Sequence, residues 1–212
     1  MLLAIDTCLG ACCAAVLDGG HVLARRVEPM TRGHQERLAP LAAQVMSEAG
    51  IAFDQLDRVG VTVGPGSFTG LRVGLAFAKG LGAALSIPVV GVGVLEALAE
   101  PLSGSVLAVL DAKRDQVYLQ AFADGVAVSA PDALPLGTAA ARLAELAGPV
   151  TLVGSGAALL AQALPGATVI AADHADPVAV GRLAAARSPV PPRPLYLRAP
   201  DAKLPGGRDL PA

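Results

Sequence analysis

The stretch Gly64-Pro65-Gly66-Ser67-Phe68-Thr69-Gly70-Leu71-Arg72-Val73-Gly74-Leu75-Ala76-Phe77-Ala78-Lys79-Gly80 decides how the rest of the chain is read. Before it, Arg58-Val59-Gly60-Val61-Thr62-Val63 has the length and β-branched enrichment of a buried strand. Gly-Pro-Gly makes a sharp turn, since proline fixes φ and glycine supplies positive φ. Ser67 or Thr69 then caps a helix running to about Leu85, where Ser86-Ile87-Pro88 ends it. A glycine-rich turn between strand and helix is a ready anion site, because free N–H groups and the helix dipole point the same way. It is not a Walker A loop, for no Gly-Lys-Ser/Thr closes it.

Gly70, Gly74, Ala78 and Gly82 recur every four residues and leave one ridge of this helix nearly bare. Helical glycine costs about 0.5–1 kcal/mol relative to alanine, so a close approach is expected to offset it. The sequence leaves two candidates open: the chain's own sheet, or a partner helix crossing at short distance.

Working outward, residues 2–29 read as a three-stranded meander, Leu2–Thr7, Ala11–Leu17 and His21–Val27, with turns at Cys8-Leu9-Gly10 and Gly19-Gly20. A helix over His34–Ala49 follows, with Leu38, Leu41, Val45 and Ala49 on its apolar face and Gly50 as its stop. After the glycine-rich helix comes a strand at Val89–Val92. The second half repeats the order. Strands fall at Val106–Leu110, Gln116–Phe122, Val126–Ser129, Val150–Val153 and Thr168–Ala172, and helices at Thr138–Ala147, Ala157–Leu164 and Val178–Ala186. Asp6 and Asp111 take equivalent places in the two copies. The Pro101, Ser103 and Gly104 cluster sets a boundary, giving halves at 1–102 and 103–190 and a Pro/Gly-rich tail at 191–212.

Composition narrows the function classes. At 212 residues, 53% hydrophobic and 16% charged, the chain supports a full core. Four Phe, two Tyr and no Trp argue against a stacking platform for single-stranded nucleic acid. A net charge of −2 argues against a large RNA footprint. Cys8, Cys12 and Cys13 are an odd cluster without a CxxC pair, which suggests a reduced cytosolic interior rather than disulfides or zinc. Leu9-Gly10-Ala11-Cys12 has the outline of a lipoprotein box, but no basic region precedes it and Asp6 interrupts the apolar run. Uncharged segments stop short of ~20 residues, so no membrane span is expected.

The run from Val63 to Lys79 resembles the signature of the bacterial TsaB (YeaZ) proteins. Further landmarks are Leu3-Ala4-Ile5-Asp6-Thr7, Arg32-Gly33-His34, Asp111-Ala112-Lys113-Arg114 with Val117-Tyr118, Val153-Gly154-Ser155-Gly156-Ala157, and Tyr196-Leu197-Arg198. The resemblance implies an α/β chain of two duplicated ribonuclease-H-like halves, the arrangement of the actin/Hsp70/sugar-kinase (ASKHA) superfamily. It implies a cytoplasmic, non-catalytic partner of a TsaD-type subunit in threonylcarbamoyladenosine (t6A) modification of tRNA. A TsaE-type ATPase docks on that pair, and tRNA is met only through the complex. Whether the chain self-dimerises alone, and whether ATP or ADP binds weakly at the subunit interface, stay open.

The same resemblance implies that Asp6, Asp111, Gly154, Ser155 and Gly156 line a vestigial nucleotide cleft. Read from the residues alone, Asp6 and Asp111 are turn-forming aspartates that bond their own backbone. Partner contacts are expected at Leu38, Leu41, Gly70, Leu71, Gly74 and Ala78. His34 reads as a helix-end residue, and His21 and His174 lack a ligand set. In the sister family TsaD, the segment resembling Ile87–Val92 is followed by a His-x-x-x-His helix that binds the active-site metal. Here those positions are Val94 and Leu98, around Glu96, and neither side chain ligates a metal, so no catalytic residue and no metal are expected. The alternative from another class is an ATP-dependent phosphotransferase of the actin-like superfamily, with Asp6 and Asp111 on Mg²⁺.

Overall fold

A computed structural model describes residues 1–143 and 148–198. The first half forms β1 (Leu2–Asp6), β2 (Ala11–Asp18), β3 (His21–Pro29), α1 (His34–Glu48), β4 (Arg58–Thr62), α2 (Phe68–Leu85), β5 (Val89–Val92) and α3 (Val94–Ala99). The second forms β6 (Ser105–Lys113), β7 (Gln116–Ala123), β8 (Val126–Ala127), β9 (Asp132–Pro135), α4 (Leu136–Leu143), β10 (Val150–Val153), α5 (Ala157–Leu160), β11 (Thr168–Ile170) and α6 (Pro177–Ala186). The expected helix at Thr138–Ala147 is described through Leu143, and its last four residues lie outside the described ones. The same is true of tail residues 199–212.

Two sheets carry the duplication. The first runs β3-β2-β1-β4-β5, and the second β11-β10-β6-β7-β8 with β9 also on β7. In each, an antiparallel meander (β1-β2-β3; β6-β7-β8) meets two parallel strands (β4-β5; β10-β11) on the opposite side of its first strand. β1 is buried throughout, because both of its faces are covered. Leu3 and Ile5 point into the layer with α1 and α2, while Leu2 and Ala4 point to α6. That period-two division explains an uninterrupted apolar strand sequence. Each fully buried leucine stabilises the fold by about 1.5–3 kcal/mol.

Two helices cross the boundary expected between the halves. α6, placed by position in the second half, lies over β1, β2, β4 and β5 of the first sheet. α3, placed in the first half, packs on β6 and β7. Each half therefore gives its last helix to the other's sheet, and one core continues from Leu3 and Ile5 through Leu95 and Leu98 to Ala108 and Leu110. Residues 191–198 are likewise no loose tail, since Pro192 is buried and Leu195 donates its N–H to Val63 O at 2.7 Å. Among the described residues, no helix is long and apolar enough to cross a membrane.

Candidate functional site

The two duplicated hairpins end with aspartates in the same turn. Asp6 Oδ1 accepts the Cys8 N–H at 2.9 Å, and Asp111 Oδ1 accepts the Lys113 N–H at 2.8 Å. Both bonds span two residues, which is the turn-forming role open to any aspartate at a strand end. Beyond this the pair diverges. Asp6 is fully buried, its Oδ1 also accepts the Thr62 hydroxyl at 2.5 Å, and its Oδ2 has no hydrogen-bond partner. Burial raises its pKa, with the bonds from Thr62 and Cys8 opposing. Asp111 is partly exposed, and the Lys113 ammonium, 2.6 Å from its Oδ2, holds its pKa below the ordinary value.

A cleft of about 900 Å³ separates the hairpins. Its walls include Cys8–Gly10 of the first turn, Leu110–Lys113 of the second, the Pro65–Phe68 turn and Ser155. Of the residues expected to line a nucleotide cleft, Asp111 and Ser155 stand on its wall, and Ser155 Oγ accepts the Asp111 N–H at 3.2 Å. Asp6 lies beneath the wall. Gly154 and Gly156 press against β6, where a Cβ on either would meet the backbone of residues 109–111. For this pair to hold one divalent cation together, both carboxylates would have to face one space. Asp6 faces the interior and Asp111 is paired with Lys113, so the pair does not fit Mg²⁺.

The glycine-rich turn is also less open than its sequence suggests. Ser67 N–H donates to Cys8 O at 2.7 Å, and Ser67 Oγ caps α2 by accepting the Gly70 N–H at 3.2 Å. These donors already have partners within the chain and are not offered to a phosphate.

The expected partner residues need correction for the same kind of reason. Leu38, Leu41, Gly70, Leu71, Gly74 and Ala78 are all buried inside this chain. A Cβ on Gly74 would stand 2.6 Å from Thr7 Oγ1, so the bare ridge faces the chain's own β1 and β4. What α1 and α2 show outward includes a second set of small residues: Ala39, Pro40 and Ala43, and Ala76, Gly80 and Ala83. Nothing lies within 4 Å of where a Gly80 Cβ would be.

Sequence reasoning passed over the aromatic group at the cleft mouth. The Arg72 guanidinium lies 3.6 Å from the Phe68 ring centre, Phe68 and Tyr196 sit 5.5 Å apart, and Arg72 Nε donates to the Tyr196 hydroxyl at 3.1 Å. With Tyr118, three of the chain's six Phe and Tyr line this one cleft. The available signal was their scarcity together with the quoted Tyr196-Leu197-Arg198.

On α3, Val94 and Leu98 are buried among apolar neighbours. Among the described residues, no three His, Cys, Asp or Glu side chains gather into a group able to hold a metal ion.

Residues 21–174 match the family described as "TsaD: tRNA N6-adenosine threonylcarbamoyltransferase". A Mycobacterium bovis protein is 39% identical over 95% of this chain and 93% of its own length. The chain belongs to the TsaB (YeaZ) family. A crystallised Pseudomonas aeruginosa protein described as similar to peptidase YEAZ superposes with a TM-score of 0.77 at 28% identity, covering 93% of this chain and 99% of that one. Escherichia coli TsaB, a tRNA threonylcarbamoyladenosine biosynthesis protein, is 34% identical over 55% of this chain and 52% of its own. The chain thus spans about half the length of the E. coli relative, and 56% of a Mycobacterium leprae one that is 38% identical. A Thermus thermophilus ROK hexokinase, at 16% identity and a TM-score of 0.50, shares the fold. In this TsaB-family chain the cleft between the hairpins has Asp111 on its wall, while Asp6 is buried beneath it.

Proposed function

We propose that the chain is the non-catalytic member of a cytoplasmic assembly that makes N6-threonylcarbamoyladenosine at position 37 of tRNA, pairing there with a TsaD-type subunit. The observation that carries this reading is α3. Where the resemblance to TsaD calls for two metal-binding histidines, Val94 and Leu98 lie in the core between the halves. The E. coli relative's name supports the pathway. The role left to the chain is structural: α1 and α2 offer Ala39, Ala43, Ala76 and Gly80 as a low-relief surface on which a partner's helices pack closely. A TsaE-type ATPase joins the pair, tRNA is reached through the complex, and a homodimer through the same helices is the resting form to test for. Any ATP or ADP contact is weak and lies at the subunit interface.

The test is reconstitution with TsaD- and TsaE-type subunits, threonylcarbamoyl-adenylate and tRNA. Omitting this chain should abolish modification. Asp6→Asn and Asp111→Asn should retain it within several-fold, because a catalytic base or metal-holding carboxylate contributes ~10²–10⁴-fold. A loss of that size with the complex still assembled would overturn the non-catalytic reading. ATP hydrolysis by the chain alone with Mg²⁺ would favour the phosphotransferase instead.

A further inference from the structure

The outer face of α2 carries charge of one sign. From Phe68 to Leu85 the helix contains Arg72 and Lys79 and no Asp or Glu, and both cations are exposed. Seven residues is close to two helical turns, so the two side chains leave the helix within about 20° of each other, about 10.5 Å apart along its axis. Elsewhere in the same half Arg25, Arg26 and Arg37 are each paired with an acid. Among the described residues, neither Arg72 nor Lys79 has a carboxylate partner.

Arg72 is also held in place. Its guanidinium lies on the Phe68 ring, and its Nε is spent on the Tyr196 hydroxyl. A guanidinium fixed this way presents a flat fork that can take a carboxylate through two bonds, and it gives up little freedom in doing so. Lys79 is a point charge on a flexible stem. Ala76 stands between the two cations, so no tall side chain on this line keeps a helix away from them.

We propose that Arg72 and Lys79 are the charged anchors of this face, and that its occupant is an acidic helix of the partner subunit with two carboxylates about two turns apart. The proposal rests on the pairing with a TsaD-type subunit given above and adds what selects that partner. A second copy of this chain fits the pair poorly. Its α2 has no acid to offer, and the acids of its α1 are Glu36 and Glu48. Those two are twelve residues apart, about 18 Å along the axis and about 120° around it, and Glu48 is already bonded to Arg26 and Gln44. The homodimer is thereby the weaker assembly. RNA fits poorly too, for tight backbone binding neutralises many phosphates, and this face brings two cations on a chain of net charge −2.

The experiment titrates the full chain, Lys79→Glu and Arg72→Glu against the TsaD-type subunit at 0.1 M and 1 M salt, where the screening length falls from about 10 Å to about 3 Å. Wild-type affinity should drop about tenfold or more with the added salt. At 0.1 M each reversal should weaken binding about tenfold or more, and the remaining affinity should respond little to salt. Lys79→Glu should melt at the wild-type temperature, which keeps the test sound should Arg72→Glu loosen the Phe68–Tyr196 contact. Wild-type binding that ignores salt, or that survives both reversals undiminished, would overturn the charged anchors and leave the pairing intact. No association of the wild-type chain at either salt would instead sink the pairing itself. Tight tRNA binding by the isolated chain, lost in the same variants, would assign the face to RNA.

Discussion

Thr7 donates its hydroxyl to Gly70 O at 2.7 Å, and the Thr7 carbonyl fills the space that a Cβ on Gly70 would need. The end of β1 and the first turn of α2 are thus in backbone contact, 63 residues apart. This one approach accounts for glycine at a helical position where it carries an entropic cost, and it assigns the inner ridge of α2 to the chain's own sheet.

Gly70→Ala should therefore destabilise the isolated chain. The added methyl meets backbone, which cannot rotate away as a side chain can. Overpacking of this kind costs about 1–3 kcal/mol, or a fall in Tm of roughly 3–10 °C for a chain of this size. Gly74→Leu, which drives a side chain into Thr7 and Val61, should fall in the same range or below it. A thermal melt that leaves both variants within one degree of wild type would return the ridge to the surface.

The three cysteines should be silent toward a small thiol reagent in the folded chain at pH 8. Cys8, Cys12 and Cys13 are all buried, and burial pushes every one of their pKa values up, that of Cys12 to about 12. The thiolate is the reactive form, so both access and ionisation oppose reaction. Titration should count no thiols in buffer and three in denaturant. A fast-reacting thiol in the native state would contradict the packing of β2.

Much of this was legible in the sequence, and the exceptions share a cause. β1, β2, β4 and β5 fall within about two residues of their expected bounds, since continuous apolar runs closed by Gly, Pro or Asp leave little freedom. The cap of α2 was narrowed to Ser67 or Thr69, and Ser67 is the one that caps it. α3 was missed because six residues give too little periodicity, and β9 because Pro131 and Pro135 frame it like a loop. The home of α6 was not legible at all: an amphipathic pattern says that a helix covers a sheet, not which of two. Local pattern also failed on the face of α2. Its inner ridge (Gly70, Gly74, Ala78) and outer face (Ala76, Gly80, Ala83) are equally small, so period alone could not tell core from surface. The candidate site was half legible. Both aspartates were found, but the inward turn of Asp6 depends on Thr62, a residue 56 positions away.

Asp6 should leave a mark on the pH dependence of stability. Its pKa is raised in the folded chain by burial. Folding therefore disfavours the charged form of Asp6, and the associated stability is complete below the ordinary aspartate value of 3.8 and is lost as pH rises through the raised one. Asp6→Asn keeps an acceptor for Cys8 and Thr62 without the charge. The stability of wild type minus that of Asp6→Asn should consequently fall as pH increases from 4, then level off. Taking the difference cancels the opposite trend of Asp111, which both proteins share. Urea melts across pH 4–8 measure it, and a flat or rising difference would mean that Asp6 is not held against its charge.

Gly80 is where stability and association should come apart. It sits one turn from the middle of the exposed face of α2, with open space where its side chain would be. A leucine here starts from a Cβ in open space, and a helix former in place of glycine adds up to about 1 kcal/mol to an exposed helix. Gly80→Leu should then melt at or slightly above the wild-type temperature. If a partner helix lies across this face, the same leucine props the two apart and disturbs the contacts of Ala76, Ala83 and, on α1, Ala39 and Ala43. Association with the TsaD-type subunit should weaken at least tenfold, which is ~1.4 kcal/mol. Gly74→Leu is the informative contrast: it should lose stability first, and association only in proportion to the fraction unfolded. Calorimetric titration of each variant at a temperature well below its melt separates the two effects. Wild-type affinity in Gly80→Leu would move the interface off α2, and a lowered melt in the isolated chain would mean that this face is already covered.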